Sequence, residues 1–132
     1  MQKTLFLVAA LLLGSAAAHT EVTKLTPAAG STVTAPKMIA VELSEPVNLR
    51  FSNFKVYALP AGMDAAKYAA SKLKLKNDAS ARADVPQTYK GMAAKLNVAL
   101  KPDLKPGDYE LMWHLLSDDG HPVSGQAVFT IK

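Results

Sequence analysis

The stretch Tyr109-Glu110-Leu111-Met112-Trp113-His114-Leu115 places large apolar residues at every second position. Because successive side chains of a β-strand point to opposite faces, its four odd-numbered residues line one face. Other segments alternate in the same way, and turn residues separate them. These segments are 38–43, 54–58, 96–100 and 127–131. Several short strands between turns are typical of an antiparallel sandwich or barrel, so the predicted fold class is all-β.

Four other segments carry weaker patterns. Residues 22–25 predict a short edge strand, and Ser44-Glu45-Pro46 interrupts its strand as a bulge or an edge would. Residues 117–125 predict a loop. Residues 64–84 leave helix and strand open, because their Ala/Lys content favours a helix while Leu73 and Leu75 alternate with lysines.

The composition limits the classes of protein that fit. The chain has 132 residues, of which 49% are hydrophobic, and a formal net charge of +4. This length predicts one domain. The lysines are scattered without interleaved aromatic residues, which argues against binding of nucleic acid. The sequence contains no cysteine, so disulfide scaffolds, zinc ribbons and thiol chemistry are all excluded.

The N-terminus predicts a secretory signal peptide. Lys3 supplies a positive charge, an apolar run follows it, and Ala16-Ala17-Ala18 offers small residues for a cleavage site. The apolar run is shorter than the roughly 20 residues that cross a bilayer, so we expect cleavage after Ala18 rather than a retained anchor. The mature domain, residues 19–132, would then be periplasmic, without stable membrane insertion, and we expect it to be a monomer.

Cleavage at that position would make His19 the first residue. Its α-amine and imidazole together chelate one metal ion, and paired nitrogen donors suit the tetragonal sites that Cu(II) prefers. Asp119 and His121 offer a carboxylate and an imidazole, which would point to the same side if the segment is extended. The alternatives are a polar residue left by chance at the cleavage site and an ordinary polar turn before a proline.

The sequence leaves three roles possible for the third histidine, His114. It could be a surface residue, a residue that orients a ligand, or a fourth ligand. We favour the first two, because Met112 and Leu116 share its face. The methionines after residue 18 occur singly, so no thioether cluster for Cu(I) is expected. Met38 and Met112 lie in strand patterns and are predicted to be core residues.

Taken together, these residues and motifs resemble the CopC family of periplasmic copper-resistance and copper-uptake proteins, and especially its short YobA-like members. The order and spacing of the fragments make the resemblance specific, and only residues 60–94 match loosely. The main fragments are His19, Leu25-Thr26-Pro27-Ala28-Ala29-Gly30-Ser31, Leu43-Ser44-Glu45-Pro46-Val47, Leu104-Lys105-Pro106-Gly107-Asp108-Tyr109 and Trp113-His114-Leu115-Leu116-Ser117-Asp118-Asp119-Gly120-His121-Pro122-Val123-Ser124-Gly125.

The resemblance implies an immunoglobulin-like Greek-key β-sandwich or barrel of about seven strands. It also implies that His19, Asp119 and His121 bind one Cu(II) per chain. A CopD-type inner-membrane copper transporter would be the partner, and the protein would sequester copper or deliver it. Two other functions fit the same residues: a copper-dependent polysaccharide monooxygenase with an N-terminal histidine brace, and a metal-free structural module. Asp119 in the metal plane would leave little room for oxygen, so we predict a carrier and not an enzyme.

Overall fold

A computed structural model describes residues 19–132, and the predicted signal peptide, residues 1–18, lies outside the described residues. In the described part, seven strands form two sheets, which confirms the predicted all-β sandwich. The strands are β1 Val22–Thr26, β2 Thr32–Val33, β3 Met38–Asn48, β4 Asn53–Ala58, β5 Met92–Ala99, β6 Gly107–Leu116 and β7 Pro122–Ile131. One α-helix, α1 Ala65–Leu73, and the 3-10 turns Leu49–Phe51 and Ala79–Ala81 complete the elements.

The two sheets pack face to face around the main core. One sheet has the order β1-β3-β5 and the other β2-β7-β6-β4. The odd-numbered residues of β6 face this core as predicted, with Leu111 and Leu115 at most 1% exposed. Burying one large apolar side chain in this way contributes roughly 1.5–3 kcal/mol, so the alternating strands supply most of the driving force for the sandwich.

Helix α1 resolves the ambiguity of residues 64–84. Asp64 caps the helix, because its carboxylate accepts a hydrogen bond of 2.9 Å from the Lys67 amide. The Nζ of Lys55 donates to the carbonyl oxygens of Lys72 and Leu75 at 2.9 and 2.8 Å. These bonds tie the C-terminal end of α1 and the residues that follow it to β4. Leu75 is exposed and belongs to no strand, so the alternation of Leu73 and Leu75 did not indicate one.

Helix α1 covers part of the outer face of the four-stranded sheet. Ala69 of the helix packs on Tyr57 and Met112 in a second apolar cluster. Met112 is therefore fully buried, as predicted, although it lies on the opposite face of β6 from the main core. The prediction for Met38 was wrong: it is 48% exposed, because Ile39 faces the core and Met38 points to the uncovered outer face of its sheet.

Two features shape the end of the sandwich that carries the turn between β6 and β7. The pairing of β3 with β5 shifts register between Glu42 and Val47, which confirms the predicted interruption at Ser44-Glu45-Pro46. Strand β7 already begins at Pro122, so the loop after β6 is shorter than the predicted 117–125. The cause is the long β6–β7 pairing, which extends to Leu116 opposite Pro122.

Among the described helices, none is long and apolar enough to cross a membrane.

Candidate metal centre

The loop between β6 and β7 is a tight turn. The Gly120 amide donates to the Ser117 carbonyl at 2.9 Å, and the Ser117 amide donates to the His121 carbonyl at 2.8 Å. Gly120 has φ = +84°, a left-handed conformation that glycine adopts without strain. In an extended segment, alternation would bring Asp119 and His121 to one side. The structure brings them together through this turn instead.

Asp119 holds the turn and its neighbouring imidazole together. One carboxylate oxygen accepts from the His121 backbone amide at 3.1 Å, and the other lies 2.9 Å from His121 Nδ1. These hydrogen bonds, first that of the His121 ring, lower the pKa of Asp119 to about 2. The side chain is therefore a carboxylate throughout the physiological pH range and is available as an anionic oxygen ligand.

His19 reaches the same place from the other sheet, just before β1. Its Nδ1 lies 3.9 Å from Asp119 Oδ2. Its ring meets the His121 ring edge-on, with centroids 5.6 Å apart. One ligand atom from each of His19, Asp119 and His121 lies within 4.8 Å of the others. Residues about a hundred positions apart in the sequence thus converge in one cluster.

A buried network beneath the cluster was missed by the sequence analysis. Thr20 is fully buried, and its hydroxyl donates to Glu45 Oε1 at 2.7 Å. The same hydroxyl lies 3.4 Å from Ser117 Oγ, at the start of the turn between β6 and β7. Thr20 therefore joins the residue next to His19 to the interruption in β3 and to the turn that holds Asp119. The motif Ser-Glu-Pro was visible in the sequence, but its partners are far away along the chain.

His114 lies outside this cluster. Its ring is exposed on β6, and Nδ1 is 2.7 Å from the hydroxyl of Ser124 on β7. It lines an open groove of about 430 Å³ between α1 and β7. This placement agrees with a surface role and does not bring His114 among the three grouped ligand atoms.

The donor set has the chemistry of a borderline divalent cation site. Two imidazoles and a carboxylate suit Cu(II), Ni(II) or Zn(II) better than Ca²⁺ or Mg²⁺, which prefer oxygen ligands alone. All three side chains are exposed, so an ion can reach them directly from solvent. The residues present therefore fit a copper ion. Donor chemistry alone does not distinguish copper from nickel or zinc, and the comparisons with known proteins bear on that question.

Comparisons with known proteins identify relatives of this chain. The family model described as the CopC domain matches residues 22–132. Protein YobA of Escherichia coli K12 is 32% identical over 127 residues, which cover 96% of this chain and 89% of that protein. Copper resistance protein C of Pseudomonas syringae pv. tomato is 31% identical over 131 residues, with coverages of 98% and 93%.

A solved structure supports the same relationship. The crystal structure of PcoC, a methionine-rich copper resistance protein from Escherichia coli, aligns with a TM-score of 0.59 and 26% identity. The alignment covers 87% of this chain and 100% of PcoC. The chain belongs to the CopC family, whose members are copper-binding resistance proteins and not enzymes.

Proposed function

We propose that the protein binds one Cu(II) ion per chain in the periplasm through His19, Asp119 and His121. It sequesters this copper or delivers it to a CopD-type inner-membrane copper transporter. The observation that carries the proposal is the convergence of the three ligand atoms within 4.8 Å. Membership of the copper-resistance family supports copper as the ion.

The proposed site depends on export, because export includes cleavage of the signal peptide. Cleavage of residues 1–18 by a signal peptidase would free the α-amine of His19, which adds a second nitrogen donor from the same residue. Two imidazoles, one amine and the Asp119 carboxylate would then supply the four N and O donors that suit tetragonal Cu(II). Nitrogen ligands must be deprotonated to bind a metal ion, so binding should weaken on acidification.

The preference for Cu(II) over Cu(I) is supported by the methionines. Cu(I) favours several soft thioether ligands together. Met112 is buried under α1, whereas Met38 on β3, Met63 between β4 and α1, and Met92 on β5 are exposed. Within residues 19–132, the proposed site therefore offers nitrogen and oxygen but no sulfur.

The exposure of the cluster supports delivery to a partner. The side chains of His19 and His121 are 50% and 66% exposed, and that of Asp119 is 40% exposed. A ligand from another protein can approach the ion without unfolding any element. Such an open site favours exchange of copper between proteins, whereas an enclosed site would favour permanent retention.

The test compares two histidine variants of the mature protein by competitive Cu(II) titration. His121→Asn should weaken binding at least about 100-fold, since loss of even an outer hydrogen-bond partner of a ligand typically costs 10–100-fold. His114→Asn is the matched control, because it removes an exposed imidazole outside the cluster, and it should bind as the wild type does. Equal affinities of all three proteins would reject the proposed ligands.

A further inference from the structure

Glu110 is a buried carboxyl group with no role in the proposed copper site. It lies on β6, on the face that α1 covers, and it is 0% exposed. Neither Oε1 nor Oε2 receives a hydrogen bond from any described residue. An ionised carboxylate in such a position would lack both water and a partner, which costs far more than burying the neutral acid.

Among residues 19–132, the groups around Glu110 do not supply a compensating positive charge. Asp64, which caps α1, raises the energy of a Glu110 anion, and Tyr68 on α1 is neutral at physiological pH. Lys72, also on α1, places its Nζ 5.4 and 5.2 Å from the ring centroids of Tyr57 and Tyr68.

The adjacent strands add no free cation near Glu110. On β4, Tyr57 lies opposite Glu110, and the ammonium of Lys55 already binds Asp78 at 2.8 Å. On β7, Val128 lies opposite, and it is apolar. On β6 itself, Asp108 is exposed and accepts from Thr130. The surroundings thus consist of neutral groups, like charges and cations engaged elsewhere.

We propose that α1 docks on the sheet more firmly when Glu110 carries a proton than when it is ionised, so that the helix is a lid that loosens as the pH rises. Opening α1 would admit water to the carboxyl group and allow it to ionise. Between pH 4.5 and about 7, closing α1 would be accompanied by return of the proton. The device depends on the covered outer face and is separate from the copper ligands at the end of the sandwich.

The pH dependence of α1 opening follows from the difference in proton binding between the closed and open states. Burial, and secondarily Asp64, raise the pKa of Glu110 from 4.5 to about 7. The closed state therefore binds more protons than the open state between these two values. The free energy that favours the closed state is largest below about pH 4.5. It decreases as the pH rises towards 7 and is constant above that. The equilibrium constant for opening should rise roughly tenfold per pH unit inside the window.

The test is hydrogen exchange of the α1 amides in the metal-free mature protein from pH 5 to 8, corrected for intrinsic exchange rates. In the wild type, the opening constant should rise through this window and level off near pH 7. Glu110→Gln cannot ionise, so its opening constant should be independent of pH and its helix better protected at pH 7. Glu42→Gln, which changes a carboxylate paired with Lys95 on the other sheet, should keep the wild-type profile.

Two outcomes would overturn the inference. One is a wild-type opening constant that does not change with pH, and the other is an unchanged slope in Glu110→Gln. If Glu110→Gln fails to fold, the side-chain carbon of Glu110 in the wild type is titrated by NMR. A midpoint near 7 supports the lid, and a midpoint near the ordinary glutamate value rejects it.

Discussion

Replacing Thr20 by valine tests whether the buried network holds the two halves of the metal site together. The change keeps the shape of the side chain and removes one hydroxyl group. That hydroxyl donates to Glu45 at 2.7 Å and contacts Ser117, and it is fully shielded from solvent. Thr20→Val therefore leaves Glu45 Oε1 without its donor, while the packing around residue 20 stays almost unchanged.

The magnitude follows from the kind of bond that is lost. Hydrogen bonds to a charged acceptor contribute about 1.5–3 kcal/mol, so we expect the free energy of unfolding to fall by ~2 kcal/mol. For a domain of this size, that corresponds to a melting temperature lower by roughly 10 °C. Because Thr20 adjoins His19 and Ser117 begins the turn that holds Asp119, copper affinity should also fall, by about tenfold if ~1.4 kcal/mol of the loss reaches the site.

The assay pairs urea denaturation with competitive Cu(II) titration. Thr23→Val is the matched control, because the Thr23 hydroxyl is exposed and makes a longer bond of 3.2 Å to the Glu42 carbonyl. A solvent-exposed substitution of this kind should change stability by less than ~0.5 kcal/mol. If Thr20→Val is as stable as Thr23→Val and binds copper as tightly as the wild type, Thr20 does not organise the site.

Three further results are expected. Gly125→Ala should lower the free energy of unfolding by about 1–3 kcal/mol, measured by urea denaturation, because its Cβ would lie 2.5 Å from Trp113 Cζ2. Gly120→Ala should cost about 1–2 kcal/mol and weaken copper binding in the same titration: space around it is open, but its φ of +84° disfavours any side chain. The depressed pKa of Asp119, about 2, means that its contribution to stability is present above pH 4 and is lost as the pH falls towards 2. Because Asp119 is already ionised between pH 5 and 8, Asp119→Asn should lower copper affinity throughout this range, measured by the same titration.

The sandwich was predictable because its strands bury one face and alternate accordingly. Residues 109–115 show this alternation most clearly. The helix was ambiguous because residues 64–84 contain both an Ala/Lys pattern and alternating leucines. Burial of Glu110 was not predictable, since it depends on where α1 docks, and no local pattern shows which sheet face a helix covers. Met38 is exposed for the same reason, because no helix covers the outer face of the sheet on which it lies.

The candidate site was predictable in its residues but not in its construction. His19, Asp119 and His121 were identified by ligand chemistry and by resemblance to a family. The turn that joins Asp119 to His121, and the Thr20–Glu45 hydrogen bond beneath it, depend on contacts between distant segments. Side-chain alternation within one strand carries no information about such contacts.

The most direct test of the proposed copper site is the intact mass of the exported protein with and without Cu(II). We expect a chain that begins at His19 and gains the mass of one copper ion. The same chain with one extra residue before His19 should lose most of its affinity, because the α-amine can then no longer chelate with the imidazole. A mature chain that begins elsewhere, or an extended chain that binds Cu(II) equally well, would contradict the proposed metal centre.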